Sequence, residues 1–262
     1  MSIVNAKEIM IPAAKEGWAV GAFNVTDLVQ FEAVIDAAIE KRTPVIVQTS
    51  VKPSQFLGTQ MMVNIYRTLA ESAPVPVCLH LDHSTSVDYC KKCADAGYTN
   101  IMIDASKQSY EENIRQTKEV VDYCHAIGGI SVEGELGTVG GVEDQIKVAE
   151  DEAQLANPEQ SIEFVERTGV DIFAPAIGTA HGVYKTKNPK IDFERMAVIH
   201  KMLNSNGIKT PLVVHGGTGL PDDYVAKLLA AGGAKVNVST ELKHTLLDAK
   251  WEYLSAHRDE YD

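Results

Sequence analysis

Three of the eight histidines, His83, His181 and His215, each sit at or just beyond the end of an apolar run. Neutral imidazole is a good zinc ligand, and three of them with a fourth position left open describe a catalytic rather than a structural zinc site. Cobalt or manganese would also occupy such a set. A lone histidine at the end of a strand is ordinarily a hydrogen-bonded structural residue, so the metal reading depends on the three coming together. Carboxylates stand close by in sequence. Asp82 precedes His83 directly, and Asp104, Glu133 and Glu135 end or line neighbouring runs. His80 shares a strand face with Asp82 and reads equally as a support for the site or as a core residue. The other four, His125, His200, His244 and His257, fall in helical patterns and are expected at the surface.

Short β-branched runs alternate with longer helical patterns along the whole chain. Eight runs read as strands: 18–25, 44–50, 74–83, 99–106, 129–137, 170–178, 211–217 and 234–240. Amphipathic helices fit at 27–41, 84–97, 109–126, 160–169, 192–204 and 221–233, with a short one at 5–16 before the first strand. The helix at 221–233 opens on Pro221 and two acidic residues and closes on glycines, which is good helix punctuation. Eight such units in 262 residues predict an α/β fold, a (β/α)8 TIM barrel forming one domain over residues 1–262. A doubly wound open sheet competes, but it favours a G-x-G-x-x-G turn after the first strand, where this chain reads "GAFNVTD". The stretch 137–158 is the longest without a helical pattern. It is expected to form a mobile flap over the barrel mouth, with a solvated acidic loop as the alternative.

A barrel supplies the reason for the residues first singled out. Asn24, Ser50, Asp82, His83, Asp104, Glu133, Glu135, His181, His215, Asn237, Ser239 and Thr240 all lie toward the C-terminal ends of the eight runs. Those ends form one rim, and barrel enzymes keep their active sites there. The glycine-rich "HGGTGLPDD" after the seventh run and "NVST" after the eighth add backbone amides, with Thr218. Loops at that corner of a barrel commonly bind phosphate through amides and helix N-termini. Lys185, in "HGVYKTKNP", is a candidate added cation.

Composition narrows the partners. The formal net charge is −12 and no basic cluster stands out, which argues against nucleic acid or an anionic membrane surface. No apolar run approaches the ~20 residues of a membrane span, and the N-terminus lacks the sections of a signal peptide, so a cytoplasmic protein is expected. Cys90 and Cys93 form a C-x-x-C inside a helical pattern, with no second pair to complete a zinc site. They read, like Cys78 and Cys124, as ordinary reduced cysteines.

The stretches "GAFNV", "HLDHSTS", "IMIDAS", "VEGELGTVGGVED", "APAIGTAHGVYK", "VVHGGTGLP" and "KVNVSTEL" together resemble the zinc-dependent class II ketose-bisphosphate aldolases, which act on fructose or tagatose 1,6-bisphosphate. They span residues 20 to 242. The resemblance implies reversible cleavage of a ketose 1,6-bisphosphate to dihydroxyacetone phosphate and glyceraldehyde 3-phosphate. In that scheme His83, His181 and His215 hold Zn2+, which stabilises the enediolate, with Glu135 and Asp104 as candidates for an alternative metal pose. Asp82 moves the hydroxyl proton, Glu143 exchanges the proton on the enediolate carbon, and Asn237 contacts the enediolate. Asn24 and Ser50 meet the substrate. Gly182, Lys185, Gly216, Gly217, Thr218, Val238, Ser239 and Thr240 surround its phosphate. The resemblance also admits a monovalent cation, Na+ or K+, and implies a homodimer or homotetramer. Family members usually continue for a further helical segment past the stretch matched by "AHRDEYD", so contacts made by such a segment stay open.

Other functions fit less of the sequence. A catalytically silent phosphosugar-binding barrel or partner subunit should have lost a ligand or an acid, and none is missing. An aldolase for another phosphorylated keto sugar acid would keep the same residues. A metal-dependent hydrolase on this fold typically carries H-x-H on its first strand, where this chain has "AFNV".

Overall fold

A computed structural model describes residues 2–143, 146–148, 153–184, 186 and 188–260 of the chain, with side chains left out at 142, 143 and 146–148. Eight strands close into a parallel barrel: β1 (Val20–Asn24), β2 (Val45–Ser50), β3 (Val77–Ser84), β4 (Asn100–Ile103), β5 (Ser131–Leu136), β8 (Ile172–Pro175), β10 (Leu212–Val214) and β11 (Gly233–Val238). Three short strands lie outside it: β6 (Gly140–Glu143), β7 (Ile146–Val148) and β9 (Ala180–His181), which form one small sheet. The expected eight-stranded barrel is therefore the observed one.

The helices follow from their caps as much as from their periodicity. Side chains of Asn5, Asp27, Ser86, Ser109, Asn157 and Asp192 each accept an amide of the first turn and so start α1 (Ala6–Glu16), α2 (Leu28–Lys41), α5 (Val87–Ala96), α6 (Tyr110–Ile127), α7 (Pro158–Thr168) and α8 (Phe193–Ser205). α9 (Asp222–Ala230) and α10 (Thr240–Ala256) complete the ring. The sequence reading assigned no helix after the second strand, yet α3 (Val51–Leu57) and α4 (Thr59–Ala70) lie there. Pro53 inside α3 and Gly58 between the two interrupt the periodic signal. β4, β8 and β10 are half as long as read or less; β8 ends at Pro175, which lacks an amide hydrogen, and Gly216 and Gly217 follow the end of β10.

Strand alternation sorts the core into two layers. Val47, Leu79, Leu81, Val132, Phe173 and Val214 face outward and pack on Phe31, Tyr66 and Phe164 of the helices. Val20, Ile46, Cys78, Ile172 and Val213 face into the barrel, where Ile9, Met10 and Ala13 of α1 close its N-terminal end. Asp171 ties that end together, accepting from Lys7 Nζ at 2.8 Å, His125 Nε2 at 2.8 Å and the Val132 amide at 3.0 Å. His125 is at the surface, as expected, and is also engaged through Asp171. Cys90, Cys93 and Cys124 are buried and free, and burial pushes the thiols of Cys93 and Cys124 up to about 12, as expected of unreactive cysteines.

Candidate metal centre and proton-transfer site

β3 carries the first candidate ligand by an irregular route. Cys78, His80 and Asp82 occupy its inward positions, while Leu79 and Leu81 pack against the helices. Simple alternation would send His83 outward with the leucines. Instead His83 adopts a left-handed backbone, φ 46°, and the β3–β4 register shifts between Leu81 and Ser84. The strained turn brings Asp82 and His83, adjacent in sequence, to one site. Asp104, just after β4, then meets His83 Nδ1 at 3.0 Å with one oxygen and accepts from Ser106 Oγ at 2.6 Å with the other. Burial works against the Asp104 carboxylate, but His83 and Ser106 outweigh it and hold its pKa at about 2.

His181 does not lie on a barrel strand at all. It forms β9, beyond β8, and is placed by parallel pairing with β6, where Gly141 faces His181. Gly141 has φ 100°, and a Cβ there would run into the His181 carbonyl. Part of the stretch expected as a flap is therefore the small sheet that holds the candidate ligand His181. His215 follows β10, with Nδ1 2.9 Å from Glu135 Oε2 and Nε2 3.0 Å from Glu133 Oε1. Burial and the neighbouring His83 lower its pKa, yet the two carboxylates more than reverse this and raise it to about 9.

The three imidazoles converge as the sequence led one to expect. Ring centroids of His83 lie 4.7 Å from His181 and 4.5 Å from His215, and those of His181 and His215 are 5.8 Å apart. One nitrogen from each lies within 4.8 Å of the others, and His83, Asp104 and Glu135 form a second set within the same limit. The donor chemistry fits a divalent metal. Ligand histidines usually give their second ring nitrogen to a carboxylate, as His83 does with Asp104 and His215 with Glu133.

Asp82 is fully buried beside this set. Its Oδ2 accepts from Asn24 Nδ2 at 2.8 Å and Gln48 Nε2 at 3.3 Å, and its Oδ1 from Asn237 Nδ2 at 3.4 Å. Burial raises its pKa, but His83, His80 and Lys235 outweigh burial and keep the carboxyl well below its usual range. Ser50 ends β2 in register with Asp82 and is buried with it. Asn24, Ser50, Asp82, His83, Asp104, Glu135, His215 and Asn237 are thus buried together at one end of the barrel.

The glycine corner forms from two loops laced by backbone. Gly217 N–H donates to the Asn237 carbonyl at 3.0 Å, and Ser239 N–H donates to Thr218 Oγ1 at 3.3 Å. Gly216 has φ 67° and passes so close to Ala180 that a Cβ would strike its carbonyl. Val238 ends β11, and Ser239 and Thr240 begin α10. Gly182, directly after His181, also turns left-handed. Lys185 lies outside the described residues. Glu143 closes β6 with its backbone paired to Ile146, and its side chain lies outside what is described.

The sequence reading missed several polar residues. Tyr184 donates to the Gly216 carbonyl at 2.8 Å and accepts from the Ala180 amide at 3.1 Å, tying the His181 segment to the loop after β10. Gln48, Asn100 and Lys235 line the barrel interior below the rim and are fully buried. A signal existed for two of these. Gln48 and Ser50, His80 and Asp82, Glu133 and Glu135, and Lys235 and Asn237 are each two apart, the spacing that keeps both on one strand face.

The fructose-bisphosphate aldolase class-II family model matches residues 4–262. The chain is 42% identical over 265 residues to a fructose-bisphosphate aldolase of Geobacillus stearothermophilus, covering 100% of this chain and 89% of that one. It is 42% identical over 233 residues to a fructose-bisphosphate aldolase of Helicobacter pylori, covering 88% of this chain and 74% of that one. Among solved structures, the YdjI aldolase of Escherichia coli K12 superimposes with a TM-score of 0.82 at 32% identity, covering 99% of this chain and 88% of that one.

Proposed function

The chain belongs to the class II fructose-bisphosphate aldolase family, and from that membership we propose that it reversibly cleaves fructose 1,6-bisphosphate to dihydroxyacetone phosphate and glyceraldehyde 3-phosphate. The observation that carries the reading is the meeting of three imidazoles within 4.8 Å beside a buried, hydrogen-bonded Asp82. His83, His181 and His215 would hold Zn2+, with Glu135 and Asp104 available to an alternative pose. Such a metal supplies Lewis-acid stabilisation of negative charge developing at the ketose carbonyl.

Asp82 takes the proton. Held ionised by its neighbours, it is ready to accept from the C4 hydroxyl as the C3–C4 bond breaks, and it returns that proton in condensation. Asn24 and Gln48 hold its Oδ2 still, so the proton moves at Oδ1. Asn237 keeps its own Oδ1 buried with no hydrogen-bond partner among the described residues, which suits contact with a substrate hydroxyl. Glu143 serves the second proton transfer, at the carbon that becomes C3. Ser50 orients the substrate. The phosphate sits among Gly182, Lys185, Gly216, Gly217, Thr218, Val238, Ser239 and Thr240, drawn by amides and one lysine rather than by the chain's net charge of −12. A Na+ or K+ ion at that corner, a homodimer or homotetramer, and a cytoplasmic setting complete the proposal. Among the described residues no helix is long and apolar enough to cross a membrane.

A coupled assay for dihydroxyacetone phosphate release from fructose and tagatose 1,6-bisphosphate tests this reading. Fructose 1,6-bisphosphate is expected to be cleaved, activity to vanish on chelation, and zinc to restore it. Turnover that survives complete metal removal would overturn the mechanism.

A further inference from the structure

Val20, Ile46, Cys78, Ile172 and Val213 put apolar side chains into the barrel interior. Among them, in register with Val20, Val213 and Ile172, lies a fully buried ion pair. Lys235 Nζ on β11 is 2.7 Å from Glu133 Oε2 on β5, and both side chains have no exposure. The lysine also stands 3.2 Å from His80 Nε2 on β3. Filling volume does not explain this group, because aliphatic residues fill the positions in register beside it. Stability does not explain it either. Desolvating two charges costs several kcal/mol per ion, and a buried pair is often no more stable than well-packed apolar residues.

The partners of the pair point to its use. The second oxygen of Glu133 meets His215 Nε2 at 3.0 Å, while His215 Nδ1 meets Glu135 at 2.9 Å. His80, on the other side of the lysine, has Nε2 3.6 Å from Asp82 Oδ1. The second nitrogen of His80 is fixed by Asn100, which is itself fixed by Ser131. One ammonium therefore touches the supports of both halves of the site.

We infer that Lys235 is a positioning residue that couples the two halves, locking Glu133 against the metal-binding His215 and locking His80 beneath the proton-transferring Asp82. It touches neither metal nor substrate. Without it, Glu133 becomes an uncompensated buried carboxylate that is driven to move, and the move releases His215. His80 loses its anchor in the same step. The inference rests on the aldolase reading for the role of Asp82, but its metal arm is independent of that reading.

The test compares Lys235→Met, Glu133→Gln and the double variant with the unchanged protein, reading zinc affinity by competition with a chelating dye. Lys235→Met is expected to weaken zinc binding about 10- to 100-fold, the usual effect of losing an outer partner of a metal ligand. The double variant should bind zinc no worse than Glu133→Gln alone, since the lysine acts through that carboxylate. Unchanged affinity in Lys235→Met, or additive losses in the double variant, overturns the metal arm. At saturating zinc, Lys235→Met should still show kcat reduced about tenfold, with KM changed far less, because the lysine does not reach the phosphate. Full recovery of kcat there overturns the coupling to Asp82. If Lys235→Met fails to fold, the unchanged protein labelled with 15N-lysine decides the matter. One ammonium resonance in slow exchange with water, assigned to Lys235 by its loss in Lys235→Arg, is expected, and its absence overturns the inference. Absence of aldolase activity in the unchanged protein would overturn the aldolase reading while leaving the zinc measurements to judge Lys235.

Discussion

Asp82 and His83 are neighbours whose chemistry differs, and the left-handed backbone at His83 lets both use one site. Their separation of labour is testable. Asp82→Ala should keep one equivalent of bound zinc yet lose cleavage about 10²- to 10⁴-fold, the usual worth of a positioned acid or base. Loss of zinc in that variant would make Asp82 a structural support of the metal instead. His215→Ala should do the reverse and release metal, because it removes a ligand that Glu133 and Glu135 both hold. Metal analysis of the purified variants separates the two cases. At this scale much could be read from sequence: His83, His181, His215, Asp82 and Asn237 could all be picked out. Lys235 was passed over as a lone lysine in "AKVNVST", although its spacing of two from Asn237 puts both on one strand face.

The elements decide how firmly these residues are held. β6 places His181 only because Gly141 allows the backbones to touch, so Gly141→Ala should weaken zinc binding roughly tenfold or more while far-UV circular dichroism stays unchanged. Unaltered zinc affinity would show that β6 does not position the ligand. At the other end of the barrel, Asp171 joins α1, α6 and β5. Burial opposes its ionised form, but His125, Lys7 and the Val132 amide outweigh burial and lower its pKa. A carboxyl depressed on folding stabilises fully above its unfolded value, about 3.9, and the stabilisation fades as pH falls through the folded value. Asp171→Asn should therefore cost about 1–3 kcal/mol at pH 7, with the gap narrowing below about pH 4 in urea unfolding of the metal-free protein. A gap independent of pH would remove the charge from the explanation. The sequence located β5 and α6 well because their periodicity is unbroken, and it found β3 but not the turn at His83 that breaks its alternation. It missed α3 and α4, where Pro53 and Gly58 break the pattern, and it ran β8 and β10 too long into their glycine and proline ends.

For the whole molecule, metal and fold should be linked, because the candidate ligands come from β3, β9 and the end of β10, far apart in sequence. Zinc at 100 times its dissociation constant should add about 2.7 kcal/mol, a rise in melting temperature of roughly 5–10 °C for a chain of this size. A scan of chelated and zinc-loaded protein checks this, and equal melting temperatures would mean that the ligands do not share an ion in the folded state. The sequence by itself determined the barrel and the end of it that carries the chemistry. Eight alternating units leave few ways to bury every apolar run, and the histidines and carboxylates first singled out gather toward the C-terminal ends of those runs. Only the tertiary structure decided which polar groups meet. Side-chain direction depends on local backbone departures, such as the turn at His83 and the sheet that carries His181. The partners of Lys235 are set by barrel closure, which brings residue 235 to residues 80 and 133, and no local pattern in the chain records that contact.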